Sequence, residues 1–108
     1  MSGKRLLLVE DELSVRQCLS EYLADVGFEV EEAADGDQAI AIMNRREVDL
    51  LITDIDIPGR LDGNGIAIKA KERFQGLPVV YASGYRDRLR NAIGRMTSFL
   101  ANRMAPPR

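Results

Sequence analysis

Apolar and polar positions alternate along this chain in blocks that predict strands and helices in regular succession. Three short, mostly apolar runs are each closed by polar residues, as is typical of strands buried on both faces of a parallel sheet; they are residues 6–9, 50–53 and 79–82. Residues 28–31 alternate between apolar and acidic side chains and suit an edge strand, and residues 98–101 form a weaker fifth strand.

Helical periodicity fills the intervals between these strands. The first helix has an apolar face made of Val15, Cys18, Leu19, Tyr22, Leu23 and Val26. The second begins at Asp35 and Gln38, which are spaced as a capping box. The third and fourth are marked by Ile66, Ala70 and Phe74, and by Leu89, Ala92, Ile93 and Met96. Right-handed crossovers turn this β-α-β-α-β-α-β-α-β order into an open, doubly wound α/β sheet that lacks a helix after its fifth strand.

Length and composition limit the chemistry that such a chain can carry. Its 108 residues suit a single domain, 1–108, with residues 104–108 as a disordered tail. The single cysteine excludes an internal disulfide, and the absence of histidine argues against zinc sites and excludes a Ser-His-Asp triad. No apolar run is long enough for a membrane helix or a signal peptide, so we expect a cytoplasmic protein without a membrane partner.

The charge is distributed unevenly along the chain. Residues 1–62 carry 15 acidic and 6 basic side chains, whereas residues 85–108 carry six arginines and one aspartate. No aromatic residues are interleaved with these arginines as a stacking platform, so we expect them to form a solvated or protein-docking face and not a nucleic-acid site. The acidic half could hold a metal cation.

Acidic and hydroxyl side chains end the predicted central strands. Glu10 and Asp11 follow the first strand, Asp54 ends the third, and Ser83 follows the fourth. Ligands of doubly wound sheets bind at the carboxyl ends of the strands, where these side chains should meet. Any one acid could instead cap a helix or lie in a solvated loop. Three carboxylates at one edge repel each other unless a cation offsets the charge, which favours Mg²⁺.

The chain resembles the receiver domain of response regulators in two-component signalling, over residues 4–103. The segments that match in spacing and order are residues 6–12, 49–59, 61–63 and 77–84. The resemblance implies a flavodoxin-like fold with five parallel strands in the order 2-1-3-4-5. It also implies that Asp54 accepts a phosphoryl group from a histidine kinase or phosphotransfer protein. Asp11 and Asp54 would bind Mg²⁺ directly, Glu10 would bind it through water, and the backbone carbonyl of Asp56 would complete the protein ligands.

The resemblance assigns further roles near the C-terminus, where the chain also departs from the family. Ser83 would donate its hydroxyl to the phosphoryl group, and Phe99 stands at the position of a rotating switch aromatic. The family has a lysine where this chain has Asn102, and an amide brings no charge. Arg103 is one residue further and would point to the opposite face of a regular strand.

These features leave alternatives to a stand-alone, phosphorylated receiver. The chain could be a degenerate receiver that acts as a protein-binding module with weak or no phosphorylation. Residues 53–56 and 79–83 also resemble motifs of haloacid-dehalogenase-type phosphatases, but the acid pair lies upstream here and the chain is too short for a cap. We therefore expect a signalling domain and not an enzyme, beyond self-catalysed phosphorylation and dephosphorylation.

The missing final helix leads to an expectation about assembly. The face that this helix would have covered should expose Tyr81 or Val80, and Phe99 or Leu100. A contiguous apolar patch usually marks an interface. We therefore expect a homodimer, or a tight complex with a partner, through this face.

Overall fold

A computed structural model describes residues 3–82, in which a parallel sheet has helices on both faces. The strands are β1 (Arg5–Val9), β2 (Glu29–Ala33), β3 (Leu50–Asp54) and β4 (Val79–Ala82). The helices are α1 (Leu13–Asp25), α2 (Gly36–Arg45) and α3 (Gly63–Arg73). Each helix follows the strand that the apolar pattern placed before it.

The sheet has the strand order β2-β1-β3-β4, and all of its pairs are parallel. This confirms the doubly wound α/β fold and the first four strands of the expected 2-1-3-4-5 order. The predicted fifth strand, the fourth helix and the tail at residues 104–108 lie outside the described residues.

The two faces of the sheet have separate apolar cores. Leu7, Val9 and Leu51 point toward α2 and α3 and pack with Ile42 and Ile66. The alternate strand residues Leu6, Leu8, Leu50 and Ile52 form the second core with Leu23 of α1. Burying a side chain of this size stabilises a fold by about 1.5–3 kcal/mol. The central strands β1 and β3 contribute to both cores, so they fix the sheet most strongly.

Helix α1 packs through a face that differs from the one predicted. Leu23 is buried and Leu19 is half-buried, as expected, but Cys18 is exposed, Tyr22 is 45% exposed and Val26 is 42% exposed. The half-buried and buried positions of the helix are Val15, Arg16, Leu19, Ser20 and Leu23, so the face turned toward the sheet includes Arg16 and Ser20 beside part of the predicted face. The prediction that Cys18 lies on the packed face of the helix was therefore wrong, and hydrogen bonds to Glu32 of β2 hold Arg16 and Ser20 on the packed side.

One residue of β4 that was expected to be exposed is buried. Val80 shares the α1 face of the sheet and is only 7% exposed, so the exposed patch expected on this face does not include it. Tyr81 is 40% exposed, but it lies opposite Thr53 on the other face. Phe99 and Leu100 lie outside the described residues, and the homodimer stays a prediction. Within residues 3–82, no helix is long and apolar enough to cross a bilayer.

Aspartate caps fix where α2 and α3 begin. The Asp35 side chain accepts a hydrogen bond of 2.9 Å from the Gln38 N–H, and the Gln38 side chain accepts one of 2.8 Å from the Ala34 N–H. The first contact confirms Asp35 as the predicted cap of α2, whereas Gln38 accepts from the residue before the cap and so does not close the reciprocal capping box. The Asp62 side chain caps α3 in the same way through the Gly65 N–H, at 2.8 Å.

The first residue of α3 lies directly against the end of β3. A Cβ atom on Gly63 would collide with the Asp54 carbonyl oxygen and would lie 2.7 Å from the Ile55 Cα. Gly63 also donates its N–H to the Ile55 carbonyl at 2.9 Å. Both obstructing groups are backbone atoms, so a side chain here would require the end of β3 to move.

We expect Gly63→Ala to lower the free energy of unfolding by about 1–3 kcal/mol, the usual cost of overpacking a tight contact. The matched control is Gly65→Ala in the same helix. Its added Cβ would meet the flexible Leu61 Cδ2 at 2.9 Å, and alanine favours the helix. Urea unfolding of both variants checks the prediction, and equal stability of Gly63→Ala and the wild type would contradict it.

Candidate functional site

The pairing of β1 with β3 brings three acids together at the carboxyl edge of the sheet. Val9 lies opposite Thr53 in the parallel register, so the chains leave the sheet side by side at Glu10 and Asp54. One carboxylate oxygen from each of Glu10, Asp11 and Asp54 lies within 4.8 Å of the other two. The structure therefore brings together the three acids that the strand ends predicted.

Glu10 is the most buried member of this group. It is 7% exposed, and its N–H donates to the Ala33 carbonyl at 3.0 Å, which extends the ladder between β1 and β2 by one residue. Its Oε2 accepts a hydrogen bond of 3.0 Å from the Glu12 N–H. This contact turns the Glu10 side chain back toward the start of α1.

The environment of Glu10 disfavours its charged form. Burial raises the pKa of the Glu10 carboxyl above its ordinary value of 4.5, because the charged form loses hydration. The Glu12 N–H lowers this pKa, whereas a hydrogen bond with Asp11 and the negative charges of Asp54 and Asp11 raise it. The net direction is upward, so the cluster carries an electrostatic cost that a bound cation would relieve.

Asp54 is held by the backbone that follows it. The Asp56 N–H donates to Asp54 Oδ1 at 3.2 Å, and the Thr53 hydroxyl donates to the Asp54 carbonyl at 3.0 Å. Thr53 is fully buried, whereas Asp54 is half-buried. The carboxylate is thus oriented by its own loop and still accessible from the edge of the sheet.

The remaining predicted site residues divide into two groups. Asp11 and Asp56 are exposed beside the cluster, and Asp56 contacts Asp54 through its N–H. Ser83 and Asn102, and the predicted switch residue Phe99, lie outside the described residues.

One residue at this edge was missed by the sequence analysis. Arg16 of α1 donates from Nη1 to the Glu10 carbonyl at 2.7 Å, and its Nε lies 3.2 Å from Glu32 Oε1. The Ser20 hydroxyl donates to the other oxygen of Glu32 at 3.0 Å. The only signal in the sequence is an arginine and a serine one helical turn apart, which is common on solvated faces.

The donor set of the cluster fits a hard divalent cation. It consists of carboxylate oxygens alone, with no nitrogen or sulfur ligand among the three residues. Mg²⁺ prefers such oxygens and is usually bound by one or two carboxylates together with water and phosphate oxygens. The exposure of Asp11 and the half-burial of Asp54 leave room for those additional ligands.

The raised pKa of Glu10 predicts how stability depends on pH. The folded chain binds the Glu10 proton more tightly than the unfolded chain, so ionised Glu10 destabilises the fold above its unfolded pKa. In metal-free buffer at about pH 7, we expect Glu10→Gln to have a higher free energy of unfolding than the wild type. The difference should shrink as the pH falls through the raised pKa and vanish below 4.5.

Urea unfolding across this pH range measures the difference, with Glu21→Gln as a control for removing an exposed carboxylate from α1. A wild type that is more stable than Glu10→Gln at neutral pH without metal would contradict the prediction.

The fold and the sequence have close counterparts among known proteins. Residues 6–102 match the response regulator receiver domain family. The probable transcriptional regulator ycf27 of Cyanophora paradoxa is 32% identical over 87 residues, which are 81% of this chain and 36% of ycf27. The chain thus spans about a third of that relative.

Two solved structures extend the comparison. A response regulator receiver protein from Sinorhizobium medicae has a TM-score of 0.75 and 24% identity, over 89% of this chain and 95% of its own, which supports the fold. The response regulator TrrA from Thermotoga maritima, solved with Mg²⁺ and BeF, has a TM-score of 0.67 and 25% identity, over 86% and 98% of the two chains. Sequence match, strand order and strand-end acids agree, and the chain belongs to the receiver domains of two-component response regulators.

Proposed function

We propose that this receiver domain accepts a phosphoryl group on Asp54 from the phosphohistidine of a kinase or phosphotransfer partner, in a reaction that depends on Mg²⁺. The observation that carries the proposal is the convergence of the Glu10, Asp11 and Asp54 carboxylates within 4.8 Å at the carboxyl ends of β1 and β3. Membership of the receiver family supplies the class of donor.

Asp54 is the nucleophile in the proposed transfer step. One of its carboxylate oxygens attacks the phosphorus in line with the leaving nitrogen, so an acyl phosphate forms as the N–P bond breaks. The imidazole of the donor leaves with the electron pair of that bond and takes a proton from solvent. The Asp56 N–H, 3.2 Å from Oδ1, fixes the rotation of the carboxylate before the attack.

Four groups would hold the metal ion in this proposal. Asp11 and Asp54 would bind it directly, Glu10 would act through water, and the backbone carbonyl of Asp56 would complete the protein ligands. When bound, Mg²⁺ would supply positive charge to phosphoryl oxygens that gain negative charge during transfer. The wild-type form of TrrA was solved in complex with Mg²⁺ and BeF, which supports the proposal that this chain binds Mg²⁺.

The C-terminal residues complete the proposal. Ser83 would donate its hydroxyl to a phosphoryl oxygen, and Asn102 stands where the family has a lysine. An amide can donate a hydrogen bond without charge, so we expect the site to work more slowly than one with the lysine.

The output of this domain would be a change in protein–protein contacts. We propose that the domain acts in the cytoplasm and binds its kinase or phosphotransfer protein through the edge that carries Asp54. A homodimer, as expected from the sequence, is part of the same proposal. The ycf27 relative is described as a transcriptional regulator, but binding to nucleic acid is not part of the function proposed for this chain.

Incubation with acetyl phosphate and Mg²⁺ should add the mass of one phosphoryl group to the wild-type chain. Asp54→Asn should abolish this gain because an amide oxygen does not act as the acceptor. Asp56→Asn keeps the backbone carbonyl and should still be modified. Intact-mass spectrometry measures all three proteins, with EDTA in place of Mg²⁺ as a further control.

Equal modification of Asp54→Asn and the wild type would contradict the assignment of the acceptor. A wild-type chain that binds Mg²⁺ but gains no mass would favour the degenerate receiver that only binds proteins. Steady hydrolysis of a phosphate monoester, which lacks the reactive acyl phosphate bond of acetyl phosphate, would instead favour a phosphatase.

We expect Asn102→Lys to speed the phosphorylation of Asp54. A charge-assisted hydrogen bond contributes about 1.5–3 kcal/mol, which corresponds to roughly 10- to 150-fold in rate if the contact forms fully in the transition state. Quenched time courses with acetyl phosphate give the rate, and Asn102→Gln controls for side-chain length without charge. An unchanged rate in the lysine variant would show that another group already fills this role.

A further inference from the structure

An arginine clamp connects three elements beside the acid cluster. We use this name for Arg16 and Ser20 of α1 together with Glu32 of β2. The Arg16 side chain is 15% exposed and bridges the Glu10 carbonyl, at 2.7 Å, and Glu32 Oε1, at 3.2 Å. Ser20 holds the second oxygen of Glu32 at 3.0 Å, so the carboxylate that orients the guanidinium is itself fixed.

The clamp acts on the peptide group that joins two of the cluster acids. The Glu10 carbonyl belongs to the same planar unit as the Asp11 N–H. The orientation of this plane therefore sets how the Glu10 and Asp11 side chains stand relative to each other. Ala33 accepts from the N–H on the other side of Glu10 at 3.0 Å, so with Arg16 in place the Glu10 backbone is held from both sides.

A second clamp of the same type lies at the opposite edge of the sheet. Arg5 donates from Nη1 to the Glu47 carbonyl at 3.2 Å, and its Nη2 lies 3.2 Å from Glu29 Oε2. Both arginines bridge a backbone carbonyl and a glutamate of β2. Arg5 lies at the first residue of β1, whereas Arg16 contacts the residue that follows its last, so Arg5 offers a control with similar bonds remote from the acids.

We propose that Arg16 is a positioning residue of the metal site, which holds the Glu10–Asp11 peptide in the orientation that lets Asp11 bind Mg²⁺ directly and Glu10 bind it through water. The proposal rests on the function proposed above. Arg16 acts through the backbone of Glu10, and its guanidinium fork matches the two acceptors that it joins.

The loss of charge and the loss of positioning predict opposite changes in the affinity for Mg²⁺ when Arg16 is replaced. Loss of a cation leaves Glu32 unpaired near the cluster, and the added negative charge would tighten the binding of Mg²⁺. Loss of the clamp frees the Glu10–Asp11 peptide and would weaken binding, as removal of a residue that orients metal ligands typically does by 10- to 100-fold. The sign of the change therefore separates the two explanations.

The experiment is a Mg²⁺ titration of the full chain, followed by amide shifts at residues 10–12 and 54–56. We expect Arg16→Met to raise the Kd for Mg²⁺ by about tenfold or more. Arg5→Met should lose comparable stability in urea and keep the wild-type Kd. Arg16→Lys keeps the charge, but its ammonium does not reproduce the guanidinium fork, and its Kd should also rise.

Four results would overturn the proposal. They are an unchanged or lower Kd in Arg16→Met, a wild-type Kd in Arg16→Lys, an equal rise of Kd in Arg5→Met, and the absence of Mg²⁺ binding by the wild type. Only the last would also overturn the metal site of the proposed function. If Arg16→Met fails to fold, Arg16→Lys alone decides the question.

Discussion

The parallel pairing of β1 with β3 is the constraint on which the rest of this structure depends. With Val9 opposite Thr53, both strands reach the edge of the sheet together, and the next residue after each is an acid, Glu10 or Asp54. A shift of this register by one residue would turn the side chains of one strand to the opposite faces and separate the acids. The apolar cores on both faces oppose such a shift, because it would disrupt the packing of β1 and β3 against both of them at once.

The stability of the same apolar core compensates for the cost of burying the charged Glu10 carboxylate at the site. Glu10 is buried among other acids, and its raised pKa shows that the fold without a cation does not accommodate its charge well. The buried leucines of β1, immediately before Glu10, make the edge rigid enough to hold the acids in place. Functional sites often combine such a local cost with a stable scaffold.

The strands and the acid cluster were predictable because their signals come from burial and topology. Residues buried on both faces leave unbroken apolar runs, and parallel strands bring their carboxyl ends to one edge, so the meeting of Glu10, Asp11 and Asp54 followed from the pattern. The cap at Asp35 was predictable because it is local.

The packing of α1 was not predictable from periodicity. The apolar residues of this helix cover a wider part of its surface than the face that packs against the sheet. Hydrophobicity alone therefore did not decide which of two neighbouring faces is buried. The face that packs includes Arg16 and Ser20, whose partner Glu32 lies on another element. An arginine can be half-buried when its methylene groups pack on apolar surface and its guanidinium group finds hydrogen-bond acceptors. The position of those acceptors depends on the whole fold.

The composition of β2 has a consequence for how the molecule responds to its solvent. This strand lies at one end of the described sheet, and its three glutamates are each paired with arginines: Glu29 with Arg5, Glu31 with Arg45 and Arg46, and Glu32 with Arg16. Ala33 is its only buried residue, so ion pairs replace much of the apolar packing that secures β1 and β3. Partly exposed pairs are screened by salt, whereas apolar burial is not. Raising the ionic strength should therefore destabilise β2 before the central strands. The backbone amide hydrogens of β2 should then exchange faster, while those of β1 and β3 stay protected.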